Sequence, residues 1–417
     1  MRIELVAVVL TLTAAAAPAQ QASPAAPAAA EEGPPAKKDA PSHPAHPGAE
    51  APAAPAAPKG LFPKSIAIPG TDASFTIGGY AKVDVIHDFD AIGNAYDFQT
   101  SSIPVAGSAA ADLDGRTTIH ARETRFNLDV RAAKRFRAFF EGDFYGDKNA
   151  FRLRHAYGEY GRLLGGQTWS TFQDISARPL TVDFEGPDAE VFVRQALVRW
   201  TQPLSKKVQW ALAVEDPSPN VSVPAGESGA AQSDLPDFVT HLRFTGGRGH
   251  AQVGAVLRQL EFQGQGGSPD ASATGWGGHL SFAVRPFGKD EIQGQVVYGE
   301  GIARYVESLS GQGSDAAWAG TGELEALPVT AIVLGFTHHW SRTLRSGVSW
   351  SLADIDNAEA QAASVVKSTQ DFRVNLIYTP HALFDVASEV LWGRRENKDG
   401  SSGEAWRGQL ALIFRFN

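Results

Sequence analysis

The segment Arg122-Glu-Thr-Arg-Phe-Asn-Leu-Asp-Val-Arg131 alternates without a break: Thr124, Phe126, Leu128 and Val130 fall on one side of an extended chain, and Glu123, Arg125, Asn127, Asp129 and Arg131 on the other. Successive residues of a strand point to opposite faces, so this period demands a strand with one oily and one charged face. The same period runs from about Ser74 to the C-terminus. A soluble sandwich turns its oily face inward, whereas a membrane barrel turns it to lipid and lines the lumen with charge. Periodicity alone leaves both open; three further features separate them.

The first is strand length. Many alternating segments run about 10 to 14 residues, enough to cross a membrane at a tilt, where globular strands average about 5 to 6. The second is loop rhythm. Strands are predicted near 74–88, 119–132, 135–146, 151–161, 162–171, 190–202, 207–216, 237–246, 249–262, 274–285, 290–300, 329–341, 344–355, 369–380, 383–396 and 405–416. Short connections carrying turn residues, such as Ala133-Lys134, Gly161-Arg162, Gly246-Gly247-Arg248 and Arg342-Thr343, then alternate with mostly long ones. Short periplasmic turns alternating with longer outer loops are the mark of outer-membrane barrels. The parity predicts an even count of about 16 strands and excludes an additional one around Ala316–Leu327; a barrel of that size leaves an aqueous channel. The third is aromatic placement: Trp200, Trp210, Trp276, Trp340, Trp350, Trp392 and Trp406 lie on predicted strands, several near strand ends, where amphipathic rings prefer the membrane interface.

The N-terminus reads as an export signal. Arg2 precedes an apolar run from Leu5 to Ala17, and Ala17-Pro18-Ala19 supplies the small residues of a cleavage site, so residues 1–19 are expected to be removed. Residues 20–58 are dominated by Ala and Pro, and Pro recurs too often for a helix; a disordered periplasmic tether is expected, with cell-wall contact as its sharper reading. Residues 59–73 form a lead-in and 74–417 the barrel domain. No later stretch of about 18 apolar residues offers a spanning helix. The chain has no cysteine, so its stability does not depend on disulfides, and a net charge of −9 argues against nucleic acid as a partner.

Several strings resemble the DcaP-like family of trimeric outer-membrane porins: Ile68-Pro-Gly-Thr-Asp72 with Ile77-Gly-Gly-Tyr80 and Lys82, Glu141-Gly-Asp-Phe144, Leu153-Arg-His-Ala-Tyr157, Gly166-Gln-Thr-Trp-Ser170 and Asp183-Phe-Glu-Gly-Pro187. His339-Trp-Ser341 with Leu344-Arg-Ser346 continues the match more weakly. The resemblance implies an outer-membrane homotrimer of separate pores that takes up small organic anions, dicarboxylates in particular. Two features depart from it. The Ala/Pro segment has no heptads for the helical extension such proteins often carry, and the chain ends in Asn417 rather than an aromatic.

With the oily side outward, Lys82, Arg125, Arg137, Arg152, Arg154, Arg243, Arg258, Arg285, Arg373 and Arg415 fall on predicted lumen faces. An arginine on the lipid face costs roughly 2–4 kcal/mol at the midplane, which favours the inward assignment. A guanidinium fork grips a carboxylate with two hydrogen bonds, so such a wall favours anions. Against this stands a purely structural role, in which these arginines pair with lumen acids such as Glu123, Asp129, Glu141 and Asp143. The connection Phe172–Ala189, third among the outer loops, reads either as a surface loop or, as the resemblance chiefly implies, as a constriction folded into the barrel, which would bring Gln173, Asp174, Arg178, Asp183 and Glu185 to the pore opposite Arg125, Arg137, Arg152 and Arg154.

No Gly-x-Ser-x-Gly or His-Glu-x-x-His string occurs, and His155, His338 and His339 are the candidate bases for a barrel hydrolase, so an enzyme is the weaker reading. A general, non-selective porin and a structural tether between outer membrane and cell wall also compete with the anion pore. No cofactor is implied; outer-membrane lipid and lipopolysaccharide are the expected surroundings.

Overall fold

The computed structural model describes residues 60–113, 115–133, 135–223, 226–320 and 322–416. The expectations for residues 1–19 and 20–58, and for Asn417, lie outside these. Sixteen antiparallel strands close on themselves. They are β1 Ala73–Asp88, β2 Thr117–His120 continued by Arg125–Ala132, β3 Phe136–Asp143, β4 Arg152–Tyr160, β5 Leu163–Trp169, β6 Arg194–Pro203, β7 Val208–Glu215 and β8 Asp237–Gly246. The second half is β9 Gly249–Gly264, β10 Ala271–Phe287, β11 Asp290–Glu300, β12 Pro328–His339, β13 Leu344–Ile355, β14 Val366–His381, β15 Phe384–Asn397 and β16 Ser402–Phe416. Each pairs with its sequence neighbours, and β16 returns to β1 from Gly79↔Phe416 to Asp88↔Arg407. Closure leaves the wall without an edge, which lipid requires.

The burial is inverted relative to a soluble protein. In β2 the oily Phe126 is 46% exposed while Glu123 and Asp129 on the other face are buried. Val85, Val198, Leu257, Leu280, Leu334, Val374 and Leu410 are likewise exposed large hydrophobics, one row after another around the wall. Trp200, Trp210, Trp276 and Trp406 are exposed as well; Trp340 lies just beyond β12, in the turn, and Trp350 and Trp392 are half-buried. The lead-in holds a short strand, Ile66–Ala67, folded back on Ser74 and Phe75 of β1.

Near Ala316–Leu327 the described residues add no strand to the barrel wall, as the strand parity predicts. Two short strands, Ala316–Gly320 and Glu323–Ala326, do form there, but as a hairpin within a long loop, outside the barrel wall. Its buried face packs Ala316, Trp318 and Leu324 on Leu260, Phe262 and Ala271 of β9 and β10, a local apolar contact that strand parity does not register.

Three loops leave the rim and fill much of the lumen: L1 (residues 89–116), L3 (170–193) and L6 (301–327). L3 and L6 run side by side, bridged at Val191↔Val306, with Phe192 N donating to Tyr305 O at 3.0 Å and Ser308 N to Asp188 O at 2.9 Å. Phe172, Val191, Ile302, Tyr305, Val306 and Leu309 from these loops join inward residues such as Val239, Val256, Val297, Val329 and Ile355 in one buried apolar cluster. Each large side chain so buried stabilises by about 1.5–3 kcal/mol, which is why the loops lie inside the barrel.

Candidate functional site

L3 is held against the far wall of the barrel by its own backbone. Val182 N and Asp183 N both donate to Glu389 on β15, at 3.1 and 2.7 Å, Asp188 N to Asp371 on β14 at 3.1 Å, and Ala189 N to Ser351 on β13 at 3.1 Å. Near its start Asp174 accepts from Arg243 at 2.7 Å, His250 at 2.8 Å and Ser281 at 2.9 Å. L1 adds Phe98 N on Asp183 and Thr100 N on Asp188. The loop's shape is local chemistry: Asp183 accepts from Glu185 N at 3.1 Å, and Gly186 takes a left-handed φ of 80°. Arg178 braces the turn, donating to Glu185 O at 2.5 Å and pairing with Glu190 at 2.9 Å. A Cβ on Gly186 would lie 2.0 Å from an Arg178 nitrogen, at a backbone angle that other residues hold only with strain, so glycine is favoured there.

The open side of L3 faces β2–β6. Here Arg125, Arg152 and Arg154 stand around Phe184 of the loop, their guanidinium carbons 5.7, 5.6 and 5.4 Å from its ring centroid, with Tyr145 stacked on that ring at 4.0 Å. Below, toward the short turns, a cavity of about 780 Å³ is lined by Arg125, Glu141, Arg154, Tyr157, Trp169 and Arg178 on one side and by Glu291, Gln293, His339 and Arg345 on the other. A second, of about 550 Å³, lies beside Arg199, His241 and Arg243; Ile175 of L3 lines both.

The structure separates the sequence-predicted residues into groups. Arg125, Arg152, Arg154 and Arg178 meet at the open side of L3. Arg137 lies nearer the turns, bidentate on Asp129 at 3.0 and 3.1 Å and within 3.0 Å of the Tyr157 hydroxyl. Arg285 is exposed at the turn end, 3.7 Å from Glu291; Arg415 pairs there with Asp385 at 2.6 Å. Lys82, Asp183, Glu185, Arg258 and Arg373 are buried anchors, contrary to their expected lining role, whereas Arg243 is anchored but also borders the second cavity. Lys82 is buried between Glu123, Asp84 and the carbonyl of Val182. Asp183 and Glu185 are 3% and 4% exposed. Arg373 grips Asp371 at 2.6 Å, Asp188 at 2.7 Å and Asp183 at 3.4 Å. Arg258 spans Asp237 at 2.9 Å, Asp315 at 3.0 Å and the carbonyls of Gly301 and Pro217, while Arg243 holds Asp174. The physical reason is desolvation: a guanidinium covered by inward loops must be paired.

Sequence reasoning passed over Arg407, paired with Asp88 at 2.6 Å under L1, and Arg194, whose guanidinium carbon lies 4.5 Å from the Trp169 ring centroid and 5.7 Å from that of Phe192. Among the described residues no metal-binding cluster occurs.

A closed, sixteen-stranded wall with lipid-facing apolar rows and a loop folded into its lumen defines an outer-membrane β-barrel porin. The DcaP outer membrane protein family matches residues 63–417, and the chain belongs to that family. The structure is similar to that of the outer membrane channel DcaP of Acinetobacter baumannii, with a TM-score of 0.73 and 22% identity over 82% of this chain and 97% of that one. It is also similar to an anion-selective porin from Comamonas acidovorans (TM-score 0.56, 11% identity, 82% and 100% covered) and to Salmonella typhi OmpF (0.53, 8%, 83% and 98%). At these identities the likenesses show the fold alone. No curated protein sequence matches the chain.

Proposed function

We propose that this porin passes small organic anions by diffusion, dicarboxylates in particular, through the gap between L3 and the wall of β2–β6. The observation that carries the reading is the concentration of Arg125, Arg152 and Arg154 around Phe184 of the inward loop, beside the larger cavity, which Arg125 and Arg154 line. Cations set in a water-poor constriction focus potential on a passing anion, and guanidinium offers it a bidentate partner. Trimeric porins among its structural neighbours support a homotrimer, and membership of an outer-membrane family is the reason to place lipid and lipopolysaccharide around it; residues 1–19 are read as the export signal from their sequence alone.

One observation favours a less selective pore. Arg125 lies 3.5 Å from Glu123, Arg152 2.9 Å from Asp143, and Arg154 3.0 Å from Glu141, so much of this positive charge is locally balanced. Single-channel conductance in a planar bilayer under a salt gradient separates the readings. Three-step openings, a reversal potential of anion sign and block by an added dicarboxylate support the proposal; a reversal potential near zero without block supports the general porin.

A further inference from the structure

The lumen arginines differ in what surrounds them. Arg125, Arg152 and Arg154 share Glu123, Glu141 and Asp143, each within 4.0 Å of at least one of them. Arg194 has no carboxylate within ion-pair distance among the described residues, and its buried Nη1 has no hydrogen-bond partner. The charged groups that bear on it are Arg154, Arg152, Arg125 and Glu307. Glu307 is a weak counter-charge: its carboxyl is hydrogen-bonded to Glu185, and burial first, with Glu190 adding to it, raises it to about 7. What fixes Arg194 is aromatic, the faces of Trp169 and Phe192, so its plane is set while its N–H groups stay free.

We propose that Arg194 is the specificity-determining residue of the pore, taking the solute's carboxylate by its free fork, while the paired arginines shape the passage around it. This rests on the anion-pore reading above. Three physical points support it. An arginine already committed to a carboxylate offers a solute only what that carboxylate leaves. A buried donor without a partner is costly, and an entering carboxylate relieves that cost. The flanking rings exclude water on one side of the plane, which strengthens the ion pair formed there.

The test uses the full-length protein in planar bilayers under a salt gradient, with succinate as the probe dicarboxylate. Wild type is expected to show an anion reversal potential and succinate block. Arg194→Gln is expected to bring the reversal potential near zero and to weaken block about tenfold or more, the worth of a charged bidentate contact. Arg194→Lys keeps the charge and loses the planar fork; it is expected to hold the reversal potential and weaken block. Arg131→Gln removes the same charge at the turn end, where Asp129 keeps Arg137, and is expected to shift the reversal potential far less. If wild type is anion-selective but Arg194→Gln behaves like Arg131→Gln, the proposal is overturned and the anion-pore reading survives. If wild type shows no anion preference, that reading fails and this one with it. If Arg194→Gln does not assemble, Arg194→Lys decides: block unchanged from wild type overturns the proposal.

Discussion

L3 has two sides, and arginines stand on both. On the anchored side Arg373 is fully buried and surrounded by Asp183, Asp188 and Asp371. On the open side Arg194 rests against two adjoining rings, with no carboxylate within ion-pair distance among the described residues. Position in the lumen does not decide which of them meets a solute; what remains after local pairing does. The anchored side carries a surplus of acid, since Glu389 and Glu190 stand close by as well. The cation there is a structural necessity, as a buried ion must be matched or neutralised.

The comparison breaks first at Arg373. Arg373→Met leaves three buried carboxylates without their shared cation, and is expected to destabilise the barrel by about 3–5 kcal/mol. The urea midpoint of the refolded protein measures this, and single-channel records should turn noisier as L3 leaves the wall. Arg194→Met orphans no carboxylate and is expected to change stability by about 1 kcal/mol or less. Equal losses in the two variants would show that pairing does not distinguish the two sides.

The brace between the two sides is a smaller lever. Gly186→Ala places a methyl carbon where Arg178 lies and asks a non-glycine residue to hold φ at 80°. The strain is about 1–3 kcal/mol, and Arg178 must give up the carbonyl of Glu185. The expected outcome is a modest fall in the urea midpoint together with a clear increase in open-channel noise. A quiet channel would mean that the anchors to Glu389, Asp371 and Ser351 hold L3 unaided.

The wall was legible because lipid imposes one rule on every strand. The alternation of Phe126, Leu128 and Val130 against Arg125, Asp129 and Arg131, with turns such as Gly161-Arg162, was enough to place the strands and their parity. The lumen was not legible, because nothing in the local pattern of L6 says that Ile302 and Tyr305 pack inside on Phe172. Arg194 shows the limit most sharply. It shares parity with Val198 and Trp200, which face lipid at 50% and 45% exposure, so period two alone assigns it outward. In the structure it instead packs on Trp169, which lines the larger cavity, and on the buried Phe192 of L3. Lys82 was expected at the pore from strand parity, and Asp183 and Glu185 from the inward course of L3; the contacts that bury all three are tertiary.

The gentlest test uses pH, because the two ends of L3 are held by opposite protonation states. At its start, burial raises Asp174, but hydrogen bonds from His250 and Arg243 and their charge outweigh it and hold the carboxyl well below the usual range. That contribution is present above an unfolded-state value of about 4 and is lost as the pH falls below it. At its end, burial raises Glu190 to about 7 against the opposing charge of Arg178 and Arg373, and Glu307 across the junction stands at about 7 as well. A raised carboxyl favours the protonated folded state, so this contribution is full below the ordinary value of about 4.3 and is lost as the pH rises through about 7. Near pH 5 both ends are therefore held. Hydrogen exchange, corrected for intrinsic rates, reads the two ends separately: the amides of Glu307 and Ser308, which donate to Glu190 O and Asp188 O, should lose protection between pH 5 and 8. The amide of Ala177, which donates to Asp174 O, should lose it only below pH 4. If both sets move together, L3 releases as one unit, and the division between an ion-paired start and an acid junction at its end is wrong.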